Sequence, residues 1–172
     1  SIYAKPRLAI FNQRNSYTRR IHKYMYIKRL TISNDNGVIR EIKFHKGLNL
    51  IVDNTPSDTR TETGNSVGKT TVLRLVDMCL GKDPKSIYTD PSDPRSADEQ
   101  IKEFLLNTKA IVELALTRSW EKDDIVIRRD FISGKKAIRT INGTHYKAED
   151  FENALGQELL GINISKPSFR QI

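Results

Sequence analysis

The stretch GNSVGKTTVLRLVDMCLG, residues 64–81, constrains the fold of this chain more than any other part of it. Val72, Leu75, Val76, Cys79 and Leu80 fall at i, i+3, i+4, i+7 and i+8, which puts one apolar stripe along a helix. A helix with one such stripe must lay it on a sheet or on another helix. Gly81 follows where a left-handed cap would stop the helix. Gly68-Lys69-Thr70 stands where the helix would begin, and this is the end of the phosphate-loop pattern G-x-x-x-x-G-K-[ST]. The pattern's first glycine is replaced by Thr63, with Gly64 one residue later.

The chemistry of such a loop needs few groups. Successive backbone N–H groups point inward at the positive end of a helix dipole, and glycine admits the dihedrals this requires. Here Ser66, Val67, Gly68 and Lys69 would supply the inner N–H groups, with Gly64 and Asn65 leading in. The Lys69 ammonium would face the outer phosphates, the Thr70 hydroxyl would join a magnesium shell, and Thr71 would reach the inner phosphate. The groups that touch phosphate and metal survive the loss of the first glycine.

Strands are expected on both sides of this helix. Tyr26–Ile32 and Val38–Phe44 partly alternate about the turn Asn34-Asp35-Asn36-Gly37, and Lys46-Gly47 marks another turn. Leu48–Val52 reads as a more deeply buried strand leading into a polar, turn-rich segment at 53–63. After the helix, Pro84, Pro91 and Pro94 mark a loop. Ser96-Ala97-Asp98-Glu99 matches a capping box opening a short helix, with Ile101, Phe104 and Leu105 inward. Strands are expected at Ala110–Thr117, Ile125–Ile132 and Ala137–Ile141, the last closing on the turn Asn142-Gly143. Lys147–Leu160 is helical, with Phe151, Ala154, Leu155 and Leu159 on one face and Gly161 as its stop. The fold class is therefore α/β or α+β: a mixed sheet around a phosphate-loop helix, with a portion rich in β-hairpins.

Charge narrows the choice of partners. The 172 residues carry a net charge of +8. Residues 1–24 hold Lys5, Arg7, Arg14, Arg19, Arg20 and Lys23 with no acidic residue, leaving 23 basic against 21 acidic residues for 25–172. The basicity belongs mostly to this arm, which could contact nucleic-acid phosphates, be a leader, or be an upstream segment ahead of a start at Met25. A domain is expected over 25–172. Cys79 is the single cysteine, so no internal disulfide forms, which fits a reducing, cytoplasmic setting. His22, His45 and His145 lack metal-ligand spacing.

The layout MYIKRLTISND…GLNLIVDN…GNSVGKTTVLRLVDMCLG resembles the N-terminal lobe of ABC-type ATPase heads of the structural-maintenance-of-chromosomes class, which includes RecF- and RecN-like repair ATPases. Asn65 matches the family's loop asparagine, while Ser66 and Val67 replace its Gly-Ser. Arg139–Thr144, followed by a helix and Leu160-Gly161-Ile162, is similar to the hairpin these heads carry. The resemblance implies an ATP and magnesium site in which Gln171, within Ser168-Phe169-Arg170-Gln171, takes the place of the Q-loop glutamine beside the metal. It implies an outlying bacterial branch, in which a C-terminal lobe, a second head and DNA are the partners. Repair, chromosome maintenance and anti-phage defence are the corresponding roles, with a nucleoid-associated location among the options. A coiled coil follows such a lobe in the family.

No catalytic carboxylate is assigned. Leu50-Ile51-Val52-Asp53 and Leu75-Val76-Asp77 imitate the acidic strand of these enzymes, but one leads into the loop and the other lies on its helix. Two other function classes fit part of the chain: a self-contained phosphate-loop kinase or NTPase, and a basic-arm nucleic-acid-binding module with a vestigial loop. For the latter, Arg128, Arg129, Lys135, Lys136 and Arg139 could add a patch beside the strands.

Overall fold

The computed structural model of the chain describes residues 25–51, 69–90, 92–93 and 95–161. Hairpin chemistry sets the first two strands, β1 (Tyr26–Asn34) and β2 (Gly37–Lys43). Between them, Asn34 Oδ1 accepts the Asn36 N–H at 2.9 Å, and Gly37 sits at φ +125°, where a side chain would be strained. Four more strands follow: β3 (Ile111–Thr117), β4 (Ile125–Asp130), β5 (Arg139–Ile141) and β6 (Thr144–His145). The last pair turns on Asn142 and Gly143, at φ 50° and 82°, the two positive φ values of a tight Asn-Gly hairpin turn.

The strands form one open sheet in the order β2-β1-β3-β4-β5-β6, and every neighbouring pair is antiparallel. The mixed sheet expected from the sequence is thus corrected to an antiparallel one. Of Leu48–Val52, read as a buried strand, Val52 lies outside the described residues, and residues 48–51 have no strand partner among them. Leu48 is 84% and Leu50 76% exposed. An apolar run reads as buried only if a neighbouring strand covers it and takes its backbone hydrogen bonds. Asn49 instead closes a small loop: its Oδ1 accepts the His45 N–H at 2.7 Å, and its Nδ2 donates to the His45 carbonyl at 2.8 Å.

Strand alternation separates two faces of the sheet. On one face Leu30, Val112, Leu114, Leu116, Ile125, Ile127 and Ile141 are buried beneath α1 (Lys69–Cys79) and α3 (Ala148–Leu160). Each such side chain contributes about 1.5–3 kcal/mol of burial. From the helices, Val72, Leu75, Val76 and Cys79 meet this face from α1, and Phe151, Ala154 and Leu155 from α3. The opposite face is charged. Arg29 Nη2 reaches Glu113 at 3.3 Å and Asp123 at 3.1 Å, Arg128 Nε lies 3.6 Å from Glu113, and Lys28 Nζ lies 3.0 Å from Asp123. An antiparallel sheet can leave one face to water in this way.

Both long helices end as their glycines foretell. Gly81, at φ +115°, donates its N–H to the Met78 carbonyl at 3.1 Å while Lys82 donates to Asp77 at 3.1 Å, the double closure of a Schellman motif. Gly161 ends α3 in the left-handed region, at φ 69° and ψ 24°.

The middle helix, α2 (Glu99–Asn107), departs from expectation. Its cap is Asp98, whose side chain accepts the Ile101 N–H at 3.1 Å, and not Ser96. The reason lies upstream: the Ser96 carbonyl accepts from Asp90, and the Asp98 N–H donates to Tyr88 at 2.7 Å, so residues 96–98 are held extended against 88–90. Of the three residues expected inward, Leu105 packs against the core, whereas Ile101 and Phe104 are exposed.

Candidate functional site

Lys69 opens α1 and Thr70 and Thr71 complete its first turn, so the structure brings these three expected site residues together at one helix end. Thr70 and Thr71 are exposed, while Val72 begins the buried stripe. No acidic residue stands in the first turn. The first turn itself therefore offers no carboxylate to the dipole's positive end. Gly64, Asn65, Ser66, Val67, Gly68 and Gln171 lie outside the described residues, as do Asp53 and residues 1–24. A shallow groove of about 290 Å³ runs from Thr70 along Leu73, Arg74 and Asp77 to Leu80. Leu73 is exposed on it.

The far end of α1 is held by a residue that sequence patterning did not single out for this task. Arg129, only 5% exposed, sends Nη1 to the Met78 carbonyl and to the Lys82 carbonyl, the latter at 2.8 Å. Its guanidinium lies over the Phe151 ring, 5.2 Å from the centroid. A cation at a helix C-terminus complements the negative dipole end, and this one ties α1 to β4 and α3 together. Burial pulls the Arg129 pKa below its usual value, with Cys79 opposing. Burial likewise pushes the Cys79 thiol up to about 12, so it is packing, not a nucleophile.

Among the described residues, Asp130 is the one buried carboxylate at a strand end. Burial raises its pKa, and the nearby backbone N–H groups of Ile138 and Ile132 offset only part of the shift. It is remote from the opening turn of α1. Its neighbour Arg129 binds Met78, about 14 Å along α1 from Lys69, and Asp130 points to the other sheet face. Asp77 sits on α1 and pairs with Lys82 at 3.1 Å. Among the described residues, no group of three or more His, Cys, Asp or Glu could hold a metal ion. His145 Nε2 lies 3.0 Å from the Ala137 carbonyl.

The five basic residues 128–139 do not form one patch. Strand alternation puts Arg128 on the charged face beside Glu113 and turns Arg129 and Arg139, directly paired across β4 and β5, to the other. Among the described residues, no helix is long and apolar enough to cross a membrane. Comparison of the chain with protein-family models, with curated proteins and with solved structures finds no significant match.

Proposed function

We propose that the chain is the nucleotide-binding N-terminal part of an ATPase head of the structural-maintenance-of-chromosomes type, taking ATP with magnesium at residues 64–71. The observation that carries the reading is the first turn of α1: Lys69 at its opening position, Thr70 and Thr71 exposed beside it, and no acidic residue. That arrangement is unfavourable on its own and becomes favourable once an anion sits at the helix end. Lys69 would then neutralise the outer phosphates and Thr70 would ligate magnesium, with Gln171 brought to the metal in the assembled head.

Two further features agree with a part that needs a complement. The apolar run Leu48, Leu50 and Ile51, just ahead of the loop, is left uncovered, as a strand would be whose neighbours come from another lobe. The first turn of α1 holds no acidic residue, and phosphoryl transfer requires a group that positions the attacking water. A C-terminal lobe and a second head would supply both, and DNA engagement would be coupled to their closure. The 172-residue chain should then bind ATP but hydrolyse it negligibly. ATP turnover by the purified chain at an ordinary enzymatic rate, abolished by Lys69→Ala, would contradict the reading in favour of a self-contained NTPase.

A further inference from the structure

At the opposite end of α1 from the proposed nucleotide loop lies a cleft of about 460 Å³. Its walls are the α1 C-terminal corner, the 3₁₀ turn Pro84–Ile87, the β4–β5 connection and the start of α3. Four basic side chains line it, Lys82, Lys85, Arg129 and Arg139, against two acidic ones, Asp83 and Glu152. Existing partners leave Lys85, Arg129 and Arg139 as the cations facing Asp83 and Glu152, a small positive excess. Asp83 is engaged in capping the 3₁₀ turn, where it accepts the Lys85 N–H at 2.9 Å. Lys82, for its part, pairs with Asp77, outside the cleft.

Two arginines pointing the same way from paired positions, Arg129 and Arg139, are costly in a protein interior unless something anionic compensates them. The compensation within the chain is partial. Both hydrogen bonds of Arg129 leave from Nη1, and its buried Nε has no partner. Arg139 gives only a long bond, 3.3 Å, from Nη1 to the Gly134 carbonyl. A buried, fixed guanidinium beside a half-exposed one and an exposed lysine is the arrangement that holds an oxyanion, since arginine's planar fork matches phosphate oxygens.

We propose that this cleft is an anion site, separate from the nucleotide loop, that takes the phosphate group of a small phosphorylated ligand. Arg129 fixes the floor, and Lys85 and Arg139 close on the phosphate from the rim. Ile132, Ala148 and Pro84 line the cleft beside them and leave room for an organic remainder larger than the ion. The site does not depend on the nucleotide reading, because it shares no residue with the loop.

The test is titration of the isotope-labelled 172-residue chain with inorganic phosphate and, in parallel, glycerol 3-phosphate, at constant ionic strength, followed by amide NMR. Saturable shifts in the millimolar range or below, grouped on residues 81–85 and 132–139, are expected. The double variant Lys85→Ala, Arg139→Gln, both positions away from the core, should bind at least about tenfold more weakly while its melting temperature stays close to that of the parent. Lys69→Ala should leave these shifts intact. Tighter binding of the ester than of the free ion would identify a phosphate monoester as the ligand class, and equal binding would identify the phosphate ion itself. Linear shifts scattered over basic residues, saturable shifts confined to residues 69–71, or undiminished affinity in the double variant would each overturn the proposal.

Discussion

Replacing Arg129 by alanine should be among the most damaging single changes outside the apolar core. The side chain is 5% exposed, so its charge is already removed from water and held by what surrounds it. The substitution deletes two charge-assisted bonds, to the carbonyls of Met78 and Lys82, and a cation–π contact with Phe151. Bonds of the first kind are worth about 1.5–3 kcal/mol each and the ring contact about 1–2 kcal/mol, set against the desolvation of the guanidinium. The Met78 carbonyl keeps the Gly81 N–H at 3.1 Å, so only the Lys82 carbonyl loses its recorded partner entirely. The net loss should be about 3 kcal/mol, or roughly 6–12 °C in Tm for a chain of this size. Lysine at this position should recover less than half, because a single ammonium cannot reproduce the planar fork over Phe151. Urea unfolding followed by circular dichroism measures the loss as a shift in midpoint at constant slope. A loss below about 1 kcal/mol would refute the claim that Arg129 holds the end of α1 to the sheet.

Other outcomes follow from the same geometry. Leu114→Ala, at a fully buried position in the middle of β3, should cost about 2–5 kcal/mol by the same unfolding assay. Asp130→Asn should raise Tm at pH 7, because burial raises the carboxyl's folded pKa and the backbone N–H groups beside it offset this only in part. That gain should shrink as pH falls through the raised value towards the ordinary carboxylate range, where the parent's Asp130 is also neutral. Asp123 has the opposite sign: the Lys28 hydrogen bond first, and Arg29 with it, hold its folded pKa below 3.8. Its contribution is present above the unfolded value and lost as pH falls through the folded one, so Asp123→Asn should flatten the acid limb of a Tm-against-pH curve.

Much of the fold was legible because its signals are local. The stripe Val72, Leu75, Val76 and Cys79 with Gly81 behind it, the Asn142-Gly143 turn, and the Phe151, Ala154 and Leu155 face with Gly161 all follow from neighbours in sequence, and each stands where expected. The errors arose where a partner distant in sequence decides. Leu48–Ile51 is as apolar as β3, but a strand exists only when another strand pairs with it. Ser96 and Asp98 are both good caps, and the pairing of residues 96–98 with 88–90 chose between them. Arg129 and Arg139 looked like part of a surface patch because composition does not say which face of a strand is covered. For the candidate site, the helix end at Lys69–Thr71 was readable from its glycine and its apolar stripe. The cleft at the other end was not, since its four cations come from three separate segments.

The measurement that bears most directly on the central reading is binding of a fluorescent ATP analogue to the 172-residue chain, with and without magnesium. The account predicts saturable binding that magnesium strengthens, lost in Lys69→Ala and weakened, in magnesium only, in Thr70→Ala. Binding that is absent in the parent chain, or that survives Lys69→Ala unchanged, would contradict the assignment of residues 64–71 as a nucleotide site.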